Sequence, residues 1–178
     1  MPNHVQNRIT LEGDESAIRR MLAQIQNDEF GMGTIDFNKI IPMPDHIYRG
    51  ALSSKEMKLY GENNWYNWSV TNWGTKWNAY GYVKGTDYSQ EKELTFQTAW
   101  SAPHAVLEKL SEQFPEVEIT HEWADEDIGM NCGRRMYSGG ERCEEYVPES
   151  EKEAVEFAEG IWGFSGDDFQ ESETLTME

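Results

Sequence analysis

WYNWSVTNWGTKWNAYGY, residues 65–82, carries four of the chain's seven tryptophans, with Asn67, Asn72, Asn78 and Lys76 set among them. Aromatics at this density either build a core or line a recognition surface, because each ring buries a large area and its polar edge needs a partner. Which of the two applies decides how the rest of the chain is arranged. The stretch begins with helical spacing: Trp65 and Trp68 are three apart, Trp73 and Trp77 four apart, and Gly74 suits a helix end. Ala79-Tyr80-Gly81-Tyr82-Val83 then reads as the centre of a strand over 78–84, with a turn over 85–90.

Upstream, Val5, Asn7, Ile9 and Leu11 alternate with Gln6, Arg8 and Thr10, the pattern of a strand with one wet face. Asp14 or Ser16 can cap a following helix whose apolar stripe is Ile18, Met21, Leu22 and Ile25. Residues 31–46 are punctuated by Gly31, Gly33, Pro42 and Pro44, yet Ile35, Phe37, Ile40 and Ile41 are apolar enough to be tucked down. A structured excursion across the core is expected there, then a short helix over 53–60. The Gly-x-Gly of this segment lacks the third glycine of a dinucleotide loop.

Downstream, Leu94, Phe96, Thr98 and Trp100 alternate along a strand. Pro103 opens a helix that buries Val106, Leu107, Leu110 and Phe114, and Pro115 stops it. Val117, Ile119, His121 and Trp123 then alternate with Glu116, Glu118, Thr120 and Glu122. Ser138-Gly139-Gly140 marks a hairpin, across which Cys132 and Cys143 could face each other; reduced thiols are the better expectation. Residues 151–160 form an amphipathic helix with Ala154, Val155 and Ala158 inward, and the acidic tail beyond Gly163 has little to bury.

The element order is β-α-insert-β-β-α-β, then a hairpin and a helix. Two βαβ halves with helices on one sheet face make an α+β, ferredoxin-like split βαβ sandwich with an aromatic-rich insert. The expected domain spans 1–147, with the insert at about 30–77 and the hairpin at about 128–147, and an acidic helix and tail fill 148–178.

At 178 residues and 38% hydrophobic content, with mean hydropathy −0.76, the core must lean on aromatics. Net charge is −18, and residues 141–178 alone contribute −11. Such a surface disfavours direct nucleic-acid or membrane binding and suits a basic protein partner. No apolar run reaches a membrane span and no basic leader precedes one, so a cytoplasmic, soluble protein is expected.

The segments NHVQNRITLEG, DFNKIIPMP, NWGTKWNAY, FQTAWSAP and HEWADEDIGMNCG resemble the YubB-type ferredoxin-like family, over roughly residues 3–146. The run Asn72-Trp73-Gly74-Thr75-Lys76-Trp77 is the most specific of these. The resemblance implies a ferredoxin-like fold and a plasmid or prophage origin, and it implies no catalytic residues.

For the aromatic stretch, packing of the insert onto the sheet competes with a partner groove made by Trp65, Trp68, Trp73, Lys76 and Trp77. Strand aromatics Tyr80, Tyr82, Phe96 and Trp100 would suit base stacking, but the cations near them (Lys76, Lys84, Lys92) are few and set among acids. Glu151, Glu153 and Glu156 on the last helix could imitate phosphate charge toward a basic host protein. The alternative is a small hydrolase or divalent-metal enzyme using the block 121–127, where His121, Glu122, Asp125, Glu126 and Asp127 cluster off the spacing of a calcium loop. Neither a catalytic motif nor a cofactor motif is present, and no metal set or cofactor is assigned. The leading expectation is a non-catalytic accessory protein of a mobile element that binds a host or mobile-element protein.

Overall fold

The structure, a computed structural model, describes residues 2–82 and 93–163. Lys84, Lys92, the expected turn over 85–90 and the acidic tail lie outside the described residues. The elements in chain order are β1 (His4–Gly13), α1 (Glu15–Ile25), a 3-10 turn (Phe37–Lys39), α2 (Ser54–Tyr60), α3 (Trp65–Asn72), β2 (Glu93–Ala99), α4 (His104–Gln113), β3 (Val117–Asp125), β4 (Cys132–Ser138), β5 (Glu141–Tyr146) and α5 (Glu151–Trp162).

All strand pairs are antiparallel, in the order β2-β1-β3-β4-β5. This is the ferredoxin-like arrangement: β1 is central, flanked by the strands that precede and follow α4. The alternation expected of β1 holds, with Val5, Asn7, Ile9 and Leu11 all buried. They share a face with Leu94 and Phe96 of β2 and with Val117, Ile119, His121 and Trp123 of β3. Helix α1, capped by the Asp14 carboxylate on the Ala17 N–H, and helix α4 close that face through Ile18, Met21, Leu22, Val106, Leu107 and Leu110.

The strand expected over 78–84 is reduced, among its described residues, to one bridge between Tyr80 and Gln97 on the outer edge of β2. Asn78 explains the irregular backbone. Its Oδ1 accepts from the N–H of Phe37 and of Ala79 while its Nδ2 donates to Asp36, so the side chain competes with ladder pairing. Tyr82 packs against the core and donates its hydroxyl to the Ile35 carbonyl.

The segment 31–46 does cross the core: Ile35, Phe37 and Ile40 are buried beside Phe96 and Trp73. Phe37 lies edge-on to Trp73 at 5.7 Å and to Phe96 at 6.1 Å. The insert therefore completes the hydrophobic core rather than decorating it. A parallel bridge between Tyr48 and Asn64, and the stacked pair Tyr48–Tyr60 at 4.3 Å, tie α2 and α3 together.

Hairpin β4–β5 turns at Gly139 and Gly140, both at positive φ, as a two-residue hairpin loop requires. A register shift between Met136 and Tyr137 leaves Cys143 out of the ladder, and Cys132 sits at the far end of β4 opposite Ala124. The two cysteines therefore do not face each other, and both are free thiols. Helix α5 covers the opposite sheet face at one end, burying Ala154, Ala158 and Ile161 on Ala124 and Cys132. Its Trp162 indole donates to the carbonyls of Ala124 and Asp125, each at 3.1 Å. Among the described residues no helix is long and apolar enough to cross a membrane.

Candidate functional site: an aromatic ledge around Lys76

The structure divides the tryptophan-rich stretch between inside and outside. Trp73 is 3% exposed, edge-on to Phe37 and Trp68, with its indole N–H donated to the Ile41 carbonyl at 2.9 Å. It is a core residue and is closed to a partner. Trp68 is half-buried against the same core. Trp77, by contrast, is 39% exposed, because Gly74 at φ 78° ends the helical run and turns the chain outward.

Beside Trp77 stands Trp100, which is 41% exposed. Lys76 Nζ lies 4.7 Å from the centre of the Trp77 ring and 5.1 Å from that of Trp100, a cation held between two aromatic faces. Tyr66 meets Trp100 edge-on at 5.9 Å and Trp65 meets Tyr66 likewise at 5.9 Å. On the far side Tyr80 meets Trp77 at 6.1 Å, and its hydroxyl is 2.7 Å from His4 Nδ1. Burial, with the Glu126 charge second, raises the Tyr80 phenol to about 12, so it stays protonated.

An open groove of about 650 Å³ runs from this ledge to α2, lined by Leu52, Met57, Lys58, Trp65, Tyr66 and Lys76. Helix α2 buries none of its residues, and Met57 and Leu59 face solvent. Apolar walls with two lysines give the groove a local character opposite to the acidic whole.

Trp100 is the part of the ledge that strand alternation misplaces. Continuing the β2 pattern puts it inward with Leu94 and Phe96; instead β2 ends at Ala99 and Trp100 takes φ 71°. The Ser101 N–H bonds back to the Ala99 carbonyl at 3.0 Å, so Trp100 is the middle of a three-residue turn with positive φ, a rare and strained geometry. Surrounding bonds impose it. Trp100 N–H donates to the Asn3 carbonyl, Asn131 Nδ2 donates to the Trp100 carbonyl, and Thr98 Oγ1 donates to the Ser101 carbonyl at 2.7 Å.

Thr98 is the end of a buried chain of hydrogen bonds. Asn7 Nδ2 donates to Thr98 Oγ1 and to the Val5 carbonyl, each at 3.0 Å. That leaves Asn7 Oδ1 to accept from His121 Nε2 at 2.9 Å, so neutral His121 carries its proton on Nε2. The chain crosses β3, β1 and β2 in turn and ends on the turn that holds Trp100 outward.

The Nε2 of His121 is thus committed to the sheet, while its Nδ1 is buried with no hydrogen-bond partner. The ring is wholly buried and stacked on Trp123 at 5.2 Å, with His104 edge-on at 5.6 Å. Three of the four acids of the block 121–127 are engaged elsewhere. Glu122 pairs with Arg8 at 2.9 Å, Asp125 accepts from Asn3 and from the Asp127 N–H, and Glu126 accepts from the His4 N–H. Among the described residues no group of three His, Cys, Asp or Glu is placed to hold a metal ion. Phe96 is fully buried on the helix side of the sheet, which removes it from any base-stacking platform.

On α5, Glu151, Glu153 and Glu156 are exposed. Glu153 closes the helix start, accepting from the Glu149 N–H at 3.2 Å while its own N–H bonds Ser150 Oγ. Glu151 and Glu153 also complement the positive end of the helix. Helical rotation of about 100° per residue sets Glu151 well away from the side shared by Glu153 and Glu156. Lys152 Nζ is 4.0 Å from Glu156.

Comparison with known proteins gives one family match: the model described as the ferredoxin-like domain in Api92-like protein matches residues 72–165. The matched stretch holds Lys76, Trp77, Trp100 and α5, whereas Trp65, Tyr66 and the central strand β1 precede it. Neither a curated protein nor a solved structure matches the chain.

Two outcomes follow. Glycine tolerates positive φ while any other residue pays roughly 1–2 kcal/mol there. Trp100→Gly should therefore unfold in urea with greater stability than Trp100→Ala, by about 1 kcal/mol; the reverse order contradicts the strained turn. The second concerns the histidines. Burial, then the Arg135 charge, holds His104 down at about 4, and burial, then His104 and Arg135, holds His121 well below 6.5. Both folded-state values are depressed, so as pH falls below 6.5 the unfolded chain takes up protons first and stability declines. For His104 the loss should be about 1.5 kcal/mol between pH 6.5 and about pH 5, and His121 adds to it in the same direction. Urea midpoints across that window should fall less steeply for His104→Gln than for the wild type.

Proposed function

This chain belongs to the family of the ferredoxin-like domain in Api92-like protein, and on that premise we propose that it is a non-catalytic protein-binding module that captures its partner on the aromatic ledge. One observation carries the reading: Trp100 is held exposed, at a cost in backbone strain, beside Trp77 and Lys76. Exposed, rigidly mounted tryptophans with a neighbouring cation are the residue types that dominate protein interfaces, because they offer large contact area for little lost side-chain freedom. The adjoining groove suits an extended segment with apolar anchors, and Lys58 and Lys76 favour acidic residues flanking them.

The narrower YubB-type kinship, and with it a plasmid or prophage setting, forms part of the same proposal. It rests on the quoted resemblances, above all Asn72-Trp73-Gly74-Thr75-Lys76-Trp77. A second reading, phosphate mimicry toward a basic host protein through Glu151, Glu153 and Glu156, draws support from the −11 net charge of residues 141–178. The two readings place the partner on different surfaces.

A tagged full-length chain, incubated with host lysate and washed at low then high salt, separates them. The ledge reading expects a partner that survives high salt and is lost with Trp100→Gly or Trp77→Ala but not with charge reversal of Glu151, Glu153 and Glu156. Retention by both ledge variants overturns it. Loss at high salt together with loss on charge reversal transfers the interface to α5, since screening at about 0.5 M salt shortens the field to a few ångströms.

A further inference from the structure

A second cleft, of about 490 Å³, lies along α3 and shares Tyr66 with the groove, and its volume is within the range of small-ligand sites. Its wall carries the amides of Asn63, Asn67 and Asn72, the Glu62 carboxylate and the rings of Tyr66 and Trp68. We propose that this cleft is a binding site for a neutral saccharide.

The lining chemistry selects the ligand. No lysine or arginine lines the cleft and one carboxylate does, so a phosphate or other anion has no counter-charge there. Beside the aromatic and aliphatic side chains of Ile47, Tyr66, Trp68 and Val70 stand three amides, the Thr71 hydroxyl, the His46 ring and the Glu62 carboxylate, so a purely apolar ligand would strand the polar groups. A sugar satisfies both kinds of wall. Neighbouring hydroxyls donate and accept at once, matching the paired donor and acceptor of an amide, and the C–H face of the ring lies on an indole or phenol.

The amides are available and the frame is fixed. Among the described residues the Asn63 and Asn67 side chains make no hydrogen bond within the chain, and Asn72 commits only its Nδ2, to the Trp68 carbonyl at 2.9 Å. Asn64 by contrast is buried in structural work: it caps α3 through the Asn67 N–H and donates to the Gly61 carbonyl. Tyr48 bonds the Asn63 carbonyl and the Trp65 N–H, anchoring the start of the helix. Trp68 is braced edge-on by Trp73 at 5.2 Å. Wall and floor are thus set before a ligand arrives, which lowers the entropic cost of binding.

The test titrates 15N-labelled full-length protein separately with maltose, cellobiose and N,N′-diacetylchitobiose, with adenosine as a rival flat ligand, following the Asn63 and Asn67 side-chain amides and the Trp68 indole. The expected result is saturable shifts of these signals with at least one disaccharide, at a Kd of about millimolar. Asn67→Ala should weaken binding about fivefold or more, the loss of a hydrogen bond, and Trp77→Ala should leave it unchanged. Absence of saturable shifts with all three sugars, equal affinity in Asn67→Ala, or shifts with adenosine alone would each overturn the proposal. Because Trp77 is not among the residues lining this cleft, Trp77→Ala tells its failure and that of the ledge reading apart.

Discussion

A row of hydrogen bonds from His121 through Asn7 and Thr98 to the Ser101 carbonyl runs through the middle of the sheet, out of reach of water. Buried polar side chains are costly where a donor or acceptor goes unmet, as His121 Nδ1 does, but the linked bonds of Nε2, Asn7 and Thr98 fix one geometry where an apolar contact would permit several. Here they fix where β2 stops and how the chain turns after it. The strain at Trp100 persists because the bonds on either side of it outweigh the preference of a bulky residue for negative φ. The display of a large aromatic at the surface is thus traced to a histidine two strands away.

The aromatic insert serves two ends in a chain poor in aliphatic side chains. Trp73 enters the core with Phe37, and through it the insert becomes part of the same hydrophobic unit as α1, α4 and the sheet. Four residues later Trp77 is outside, because Gly74 breaks the helical path between them. The rigidity of the ledge derives from this proximity: the exposed rings stand on a segment nailed down by a buried one. Individual carboxylates have local roles, as Glu145 pairs with Arg135 and Arg142 and Glu153 closes the start of α5.

Much of this was legible in the sequence, where a period is enforced by burial on one face. The wet-face alternation of β1, the stripe of α1, the proline-bounded α4 and the Gly-Gly hairpin each express one dominant local rule, and each is present. The division of the tryptophans was not legible, since Trp73 and Trp77 have the same chemistry and lie only four residues apart. Trp65, Lys76 and Trp77 stand at the ledge, Trp68 and Trp73 lie on the core side, and Tyr66 and Trp100, which also stand at the ledge, were not among the expected groove residues. For Trp100 the obstacle was physical. Strand alternation carries it inward, and only hydrogen bonds to residues as distant as Asn3 and Asn131 turn it out. The one hint lay in Ser101-Ala102-Pro103, which ends a strand without saying which way its last aromatic points. Similarly, within its described residues the strand expected over 78–84 gives way at Asn78, whose side chain binds the backbone in place of a neighbour strand.

Hydrogen exchange of the indole N–H groups, resolved tryptophan by tryptophan by NMR, tests the central division most directly. Trp73 donates to Ile41 from within the core and Trp162 donates to two sheet carbonyls, whereas Trp77 and Trp100 stand in solvent. The account predicts slow exchange at Trp73 and Trp162, and exchange at Trp77 and Trp100 approaching that of a free indole. A Trp73 signal that exchanges as fast as Trp77, or a Trp100 signal as protected as Trp73, would contradict it.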